Sequence, residues 1–424
     1  MTSKPIPWHL LPETSELVDG RLHVGGVDLI GVAARFGTAV FVYDEHHLRS
    51  RCREAVAAFG DGVAYASKAF LCKAMAKIAY EEGMFIDVAT GGELHVALAA
   101  GVPGDRLVFH GNNKSMVELE LAVDSGVSRI VVDSFDEMDR IESIAAAGRS
   151  TPDVLIRINP GIEAHTHEYL QTGVPDSKFG FPLAAGVASE AIERARSSSA
   201  MTFVGVHAHI GSQVFDVASF GKAIEAVAPF VNASGAEEFS IGGGLGVAYV
   251  EGEVADTITS WADVIHSAAE QNQISARIVA EPGRSIVADA GVTLYTVGTI
   301  KDIPGVRTYL SVDGGISENP RPVLYGSGYE AFLPRAVDAE RPLEARIVGK
   351  HCESGDIIVR DAYLPADTAV GDVLCTPVTG AYGYSMSSNY NRVPRPAVVF
   401  VNNGETRLVL ERETLEDMLS HDVG

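Results

Sequence analysis

The stretch VAYASKAFLCKAMAKIAYEEGMFIDV, residues 63–88, reads as one repeat of a β/α fold. Its ends, Val63 to Ser67 and Phe85 to Val88, are short apolar runs, and the longer segment between them carries apolar residues at helical spacing. Downstream, similar runs recur at Leu107 to Phe109, Ile130 to Val132, Val154 to Ile158, Phe203 to Ala208, Phe239 to Ile241 and Ala276 to Ala280. Amphipathic segments such as Ser115 to Ser125 and Ala218 to Val231 separate them, apolar enough on one face to cover the outside of a sheet. Short β-branched runs alternating with helix-length segments mark βα units around a parallel sheet, and eight of them predict a closed (β/α)8 TIM-like barrel.

Beyond about residue 290 the helical pattern fades, and Val292 to Val297, Arg346 to Ile347 and Ala397 to Val401 read as strands between turns. Leu22 to Val24 and Val40 to Val42 read as short strands ahead of the barrel. The expected division is a barrel over 44–292, with 1–43 and 293–424 forming a separate β-sandwich or β-barrel-like domain that the N-terminal strands join.

The bulk composition narrows the function. A chain of 424 residues with 46% hydrophobic and 21% charged residues can bury a large core. Its net charge of -23 repels nucleic-acid phosphates and anionic lipid surfaces, so no nucleic acid and no membrane is expected as a partner. The four cysteines, Cys52, Cys72, Cys352 and Cys375, have no paired metal-ligand spacing and are too few for a disulfide scaffold. With neither a secretory leader pattern nor a membrane-length apolar run, the expected location is the cytoplasm.

In barrels of this kind the chemistry gathers where the strands end. Lys68 ends the first strand; taken alone, it is better explained by a lysine reaching from a strand end into solvent. The eighth run leads into Glu281-Pro282-Gly283-Arg284, an acid and a base at the barrel mouth, for which a structural ion pair is the plain alternative. The seventh leads into Gly242-Gly243-Gly244-Leu245-Gly246, where bare backbone can approach a phosphate or simply turn tightly. The sixth leads into His207-Ala208-His209-Ile210-Gly211-Ser212-Gln213. His207 and His209 share one strand face, as zinc ligands would, but no third ligand stands at a suitable spacing and no metal is expected.

The ordered set of motifs resembles the barrel-type pyridoxal-phosphate decarboxylases, and within them the diaminopimelate decarboxylase branch. It runs through Tyr65-Ala66-Ser67-Lys68-Ala69, His110-Gly111-Asn112-Asn113-Lys114-Ser115, Asn159-Pro160-Gly161, Ala164-His165-Thr166-His167 and Lys178-Phe179-Gly180. It continues through the three strand-end motifs above to Asp313-Gly314-Gly315, Asn319-Pro320-Arg321-Pro322, Cys352-Glu353-Ser354-Gly355-Asp356 and Gly380-Ala381-Tyr382.

The resemblance implies pyridoxal 5'-phosphate carried by Lys68 as a Schiff base, His209 stacked on its ring, and Glu281 against its pyridine nitrogen. A carboxylate there suits decarboxylation, whereas the related racemases place an arginine at that nitrogen. Ser212, Gly243, Gly244, the turn from Glu281 through Gly283 to Arg284, and Tyr382 are implied to hold the phosphate. Asp87 supports the Lys68 and Glu281 region or, equally, caps the helix over Gly92 to Ala99. Thr90-Gly91-Gly92-Glu93 departs from the serine-containing form of that segment. Arg284, Arg321, Tyr325 and Tyr382 are implied to bind the substrate and the carboxylate that the product keeps, Glu353 its ammonium group, and Cys352 is the implied proton donor. The implied reaction converts meso-2,6-diaminopimelate to L-lysine and carbon dioxide, the last step of bacterial lysine synthesis. A homodimer is implied, with the Cys352 loop completing the partner's site. The stretch Glu163 to Pro175 is expected to be a lid loop.

Overall fold

The computed structural model describes residues 6–161 and 177–424. The expected lid stretch and the Ala164-His165-Thr166-His167 motif lie outside those residues. The chain forms two compact units: Arg51–Val247 with Ala255–Ser285, and Met1–Ser50 with Ala248–Val254 and Ile286–Gly424.

All eight predicted barrel strands form. They are Ala64–Ala66, Phe85–Val88, Leu107–Phe109, Arg129–Val132, Asp153–Asn159, Thr202–Ala208, Glu238–Ser240 and Arg277–Val279, each parallel to its sequence neighbour. The first and last strands join: the Ala64 N–H donates to the Ala280 carbonyl at 3.0 Å, and the Ala66 N–H to the Pro282 carbonyl at 3.1 Å. Closure pairs each of the eight strands on both sides, and the short strand Phe181–Pro182 adds to Asp153–Asn159 off that ring. Two helices show why the sequence pattern was readable. Met116–Asp124 starts on Ser115, whose hydroxyl accepts from the Glu118 N–H while the Glu118 carboxylate reaches back, a capping box. Ala218–Ser234 buries Phe220, Ala223, Ile224, Val227 and Val231 along one face and tolerates Pro229.

The second unit is built on an eight-stranded sheet. Val40–Asp44 lies between Gly291–Ile303, to which it is antiparallel, and Ala397–Asn402, to which it is parallel. An N-terminal strand thus does join the C-terminal sheet, as expected of Val40 to Val42. The Leu22 to Val24 strand joins the same unit, as expected, but not the same sheet. Arg21–Val24 pairs with Glu16–Val18 and Val27–Asp28 in a small sheet of its own. Gly25 and Gly26 take positive φ and turn the chain back at once, so this strand pairs locally; Leu22 and Val24 still pack into the core around Val40, Val292 and Val399. By contact, Ala248–Val254, which the sequence places within the barrel span, packs with this second unit.

Candidate active site

At the barrel mouth, five strands bring buried polar groups together. Asp87 comes from strand two, His110 follows strand three, His207 lies on strand six, Ser240 on strand seven, and Glu281 follows strand eight. The Glu281 carboxylate is 7% exposed and engaged on both oxygens. Oε2 stands 3.0 Å from His207 Nε2, and Oε1 accepts from the Ser240 hydroxyl at 2.7 Å. His110 Nε2 lies 3.5 Å from Oε1 and 3.7 Å from Asp87 Oδ1, ion-pair distances to two carboxylates.

These contacts sort the charges. Burial works to raise Glu281, but the fields and hydrogen bonds of His207 and His110 outweigh it and hold the carboxyl well below its ordinary range. Burial pushes His207 down to about 4, so it is a neutral imidazole at neutral pH. An ionised carboxylate only accepts, so His207 Nε2 carries the proton. Burial opposes charge on His110 too, yet the Asp87 and Glu281 carboxylates prevail and raise it. Asp87 is pushed up to about 6, chiefly by burial, with His110 and the Lys68 ammonium pulling the other way.

Lys68 itself is exposed at the end of strand one. Its charge acts on Asp87, on Glu93 and on His209, so the structure does gather these groups around it. His209 is held well below its ordinary value, by burial first and by nearby cations second. A neutral ring of this kind suits stacking on an aromatic ligand. Asp87 is not the helix cap offered as its alternative role. Gly91–Ala99 is capped by Thr90, whose hydroxyl accepts from the Glu93 N–H at 3.2 Å. The departure at Thr90 is therefore a working N-cap.

The loops after strands six and seven zip together to make a cradle. The Val214 N–H donates to the Gly244 carbonyl at 2.9 Å, the Gly246 N–H to the Val214 carbonyl at 3.0 Å, and the Gln213 amide to the Val247 carbonyl at 2.7 Å. Gly244 has φ +124°, and a Cβ there would lie 2.4 Å from the Gly211 carbonyl oxygen; a Cβ on Gly243 would lie 2.3 Å from the Glu281 carbonyl oxygen. Only glycine fits either position. Arg284 Nη2 donates to the Ser212 hydroxyl at 3.0 Å, beside this backbone. Gly283 packs on Ala66 as tightly, with 2.8 Å from its would-be Cβ to the Ala66 carbonyl oxygen. A cation, a hydroxyl and bare backbone make a site for a phosphate, and the buried carboxylate with a neutral imidazole beside it fits a protonated pyridine ring.

In the second unit, Arg321 starts the short helix Arg321–Tyr325 and is 3% exposed. Its guanidinium lies over the Tyr249 ring at 4.0 Å, with the Tyr325 ring at 6.0 Å, and Nη2 donates to Ser327 at 3.1 Å. Cys352 and Glu353 are exposed at the tip of a loop whose base is pinned by Asp356. That carboxylate accepts from the Ile316 N–H at 2.8 Å, the His351 N–H at 3.0 Å and His351 Nδ1 at 2.7 Å. Tyr382 has φ +57°, a conformation an aromatic residue rarely adopts and one often found where a side chain is held for function.

Sequence reading missed His207 as a partner of Glu281, along with His110, Ser240, Tyr249, His351 and Asp356 in their present roles. It also found no third ligand for His207. In space, His110, His207 and Glu281 bring ligand atoms within 4.8 Å of one another, a spacing that three metal ligands also have. They come from three different strands, so no local spacing announces them; His207 hydrogen-bonds to Glu281, while His110 stands at ion-pair distance from it.

Comparison with known proteins bears on the same site. The model of the pyridoxal-dependent decarboxylase family, pyridoxal binding domain, matches residues 45–288. The diaminopimelate decarboxylase of Halalkalibacterium halodurans is 45% identical over 420 residues, 95% of each chain. That of Bacillus subtilis is similar to the same degree, 45% over 420 residues and 95% of each chain. The solved diaminopimelate decarboxylase of M. jannaschii, in complex with L-lysine, superposes with a TM-score of 0.91 at 33% identity, covering 97% of this chain and 98% of that one.

Proposed function

Because this chain belongs to the pyridoxal-dependent decarboxylases, in the diaminopimelate decarboxylase branch, we propose that it converts meso-2,6-diaminopimelate to L-lysine and carbon dioxide, the last step of bacterial lysine synthesis. Its cofactor is pyridoxal 5'-phosphate. The observation that carries the reaction type is the Glu281 carboxylate, buried and held ionised at the barrel mouth. Bound pyridoxal phosphate supplies a protonated ring that accepts the electron pair left when a carboxylate departs as carbon dioxide.

The roles of the chain's own residues follow from chemistry and position. Lys68 anchors the cofactor, and Glu281 holds the proton on the pyridine nitrogen. His209 packs on the ring face, with Asp87 supporting the region behind. Ser212, Gly243, Gly244, Gly283, Arg284 and Tyr382 bind the phosphate. Arg284, Arg321, Tyr325 and Tyr382 bind the substrate, the guanidinium groups matching the fork of the carboxylate that the product keeps. Glu353 accepts from its distal ammonium. Cys352 donates a proton to the substrate carbon once carbon dioxide has left, and an exposed tip on a pinned base is the form that presents a thiol to a second chain. That supports a homodimer whose sites are shared. The four cysteines are free and three are buried, which suits the reducing cytoplasm. No described helix is long and apolar enough to cross a membrane.

Borohydride reduction of the loaded protein followed by peptide mapping should label Lys68; a label on another lysine would remove the foundation. Lysine release from meso-diaminopimelate should far exceed putrescine release from ornithine, and the reverse preference would sink the substrate assignment. For the shared site, mixing inactive Lys68→Ala and Cys352→Ala chains should restore part of the activity. No recovery after verified subunit exchange would refute sharing.

A further inference from the structure

Glu281 is the residue on which the proposed chemistry turns, yet nothing in its own sequence motif fixes where its carboxylate points or where the proton of its ion pair resides. Cations compete for it. Arg157 and Lys68 both reach this cluster with their fields, and Asp87 adds a second negative charge. Arg157 is itself drawn toward Asp133 at 3.7 Å. A buried carboxylate without donors of its own would take up a proton or turn toward a cation.

The packing around Glu281 prevents both. His207 and Ser240 hold one oxygen each, at 3.0 and 2.7 Å, from adjacent strands whose backbones are hydrogen-bonded in register. His110 packs edge-on against His207, ring centroids 5.0 Å apart, and stands between Glu281 and Asp87. The Ser240 side chain is wholly buried, and His207 is 2% exposed, so water does not substitute for either donor.

We propose that His207, His110 and Ser240 are positioning residues for the decarboxylation, which aim Glu281 at the pyridine nitrogen and keep the shared proton on that nitrogen instead of on the carboxylate. This inference rests on the cofactor reading given above. Each group has a distinct part. Neutral His207 contributes a hydrogen-bond donor, Ser240 a second one, and His110 a ring that the Asp87 and Glu281 carboxylates bias toward its charged form. Removing a donor leaves a buried carboxylate less stabilised as an anion, and the proton moves from nitrogen to oxygen. The pair then becomes neutral, and the ring loses the charge that makes it an electron sink.

The test is the nitrogen-15 chemical shift of holoenzyme loaded with pyridoxal phosphate labelled at the ring nitrogen. The wild-type signal should lie at the protonated position. In His207→Leu it should move toward the unprotonated position, and His207→Gln, which keeps a donor, should move it back. Ser240→Ala, a smaller change that is safe for folding, should give a shift in the same direction. A decarboxylation rate that falls while the nitrogen stays fully protonated in both His207→Leu and Ser240→Ala would overturn the proposal and leave these residues as packing. A wild-type signal at the unprotonated position would instead overturn the Glu281 reading on which the proposal rests.

Discussion

Arg321 is 3% exposed, and its guanidinium donates to the Ser327 hydroxyl at 3.1 Å. Among the described residues its buried Nε has no hydrogen-bond partner, while the Tyr249 ring supports the guanidinium plane at 4.0 Å. A buried cation in that condition is costly unless an anion arrives. Arg321→Lys keeps the charge but loses the fork and the flat face. It should raise KM for meso-diaminopimelate roughly tenfold or more with a smaller change in kcat, since a charged hydrogen bond contributes about 1.5–3 kcal/mol. Steady-state kinetics with equal loading of cofactor check this, and an unchanged KM would remove Arg321 from the substrate site. The sequence made Arg321 visible through the prolines on either side. Tyr249 was invisible: it lies 72 positions upstream, and only folding brings an aromatic ring under that guanidinium. The same holds for His207 and Glu281, which are 74 positions apart and meet only because the sheet closes.

At the scale of elements, the barrel strands were legible because each is buried on both faces and so written as an apolar run. The loop that carries Cys352 was legible as a motif and opaque as a structure. Its base is ordered by one carboxylate, Asp356, which gathers three donors from Ile316 and His351, and its tip by the Cys352 N–H, which donates to Asn391 Oδ1 at 2.7 Å. Gly315 and Gly349 line that pocket so closely that a Cβ on either would come within 2.4 Å of the Asp356 carboxylate oxygens. His351 is further fixed by stacking on Tyr390, with ring centroids 5.7 Å apart and planes 14° from parallel. Asp356→Ala leaves buried donors without an acceptor and should cost on the order of 2–3 kcal/mol locally. The expected outcome is unimpaired cofactor binding, faster alkylation of the Cys352 thiol and a lowered kcat. If kcat and alkylation rate both match the wild type, the tip does not depend on its base.

For the molecule as a whole, stability carries a pH signature from Glu318. This side chain is 1% exposed, accepts from Ser317 at 2.7 Å and also from the Gly315 N–H. Burial pushes its carboxyl up to about 7 from an ordinary 4.5, despite those hydrogen bonds. The folded protein therefore holds a proton that the unfolded chain has released between those two values, and stability falls as pH rises through them. The full effect is on the order of 3 kcal/mol. Glu318→Gln should be relatively more stable at pH 8 than at pH 5, read as a difference in melting temperature that grows with pH. A difference independent of pH would show that the carboxyl titrates normally. The sequence carried the two-part plan of the chain, because strand and helix periods differ plainly on either side of residue 290. It did not carry the assignment of Ala248–Val254, seven residues that leave the barrel span to pack with the other unit.

The position of Val40–Asp44 also bears on synthesis. Its two neighbours in the sheet, Gly291–Ile303 and Ala397–Asn402, leave the ribosome roughly 250 and 350 residues after it. At about 5–20 residues per second, the strand waits on the order of 12 to 50 seconds with both edges bare, and about 18 to 70 seconds for its second neighbour. All eight barrel strands emerge in that interval, so the barrel can close first, while Val40-Phe41-Val42 remains a sticky segment near the N-terminus of a nascent chain. Chains stalled before residue 291 should therefore be the form of this protein most in need of a chaperone.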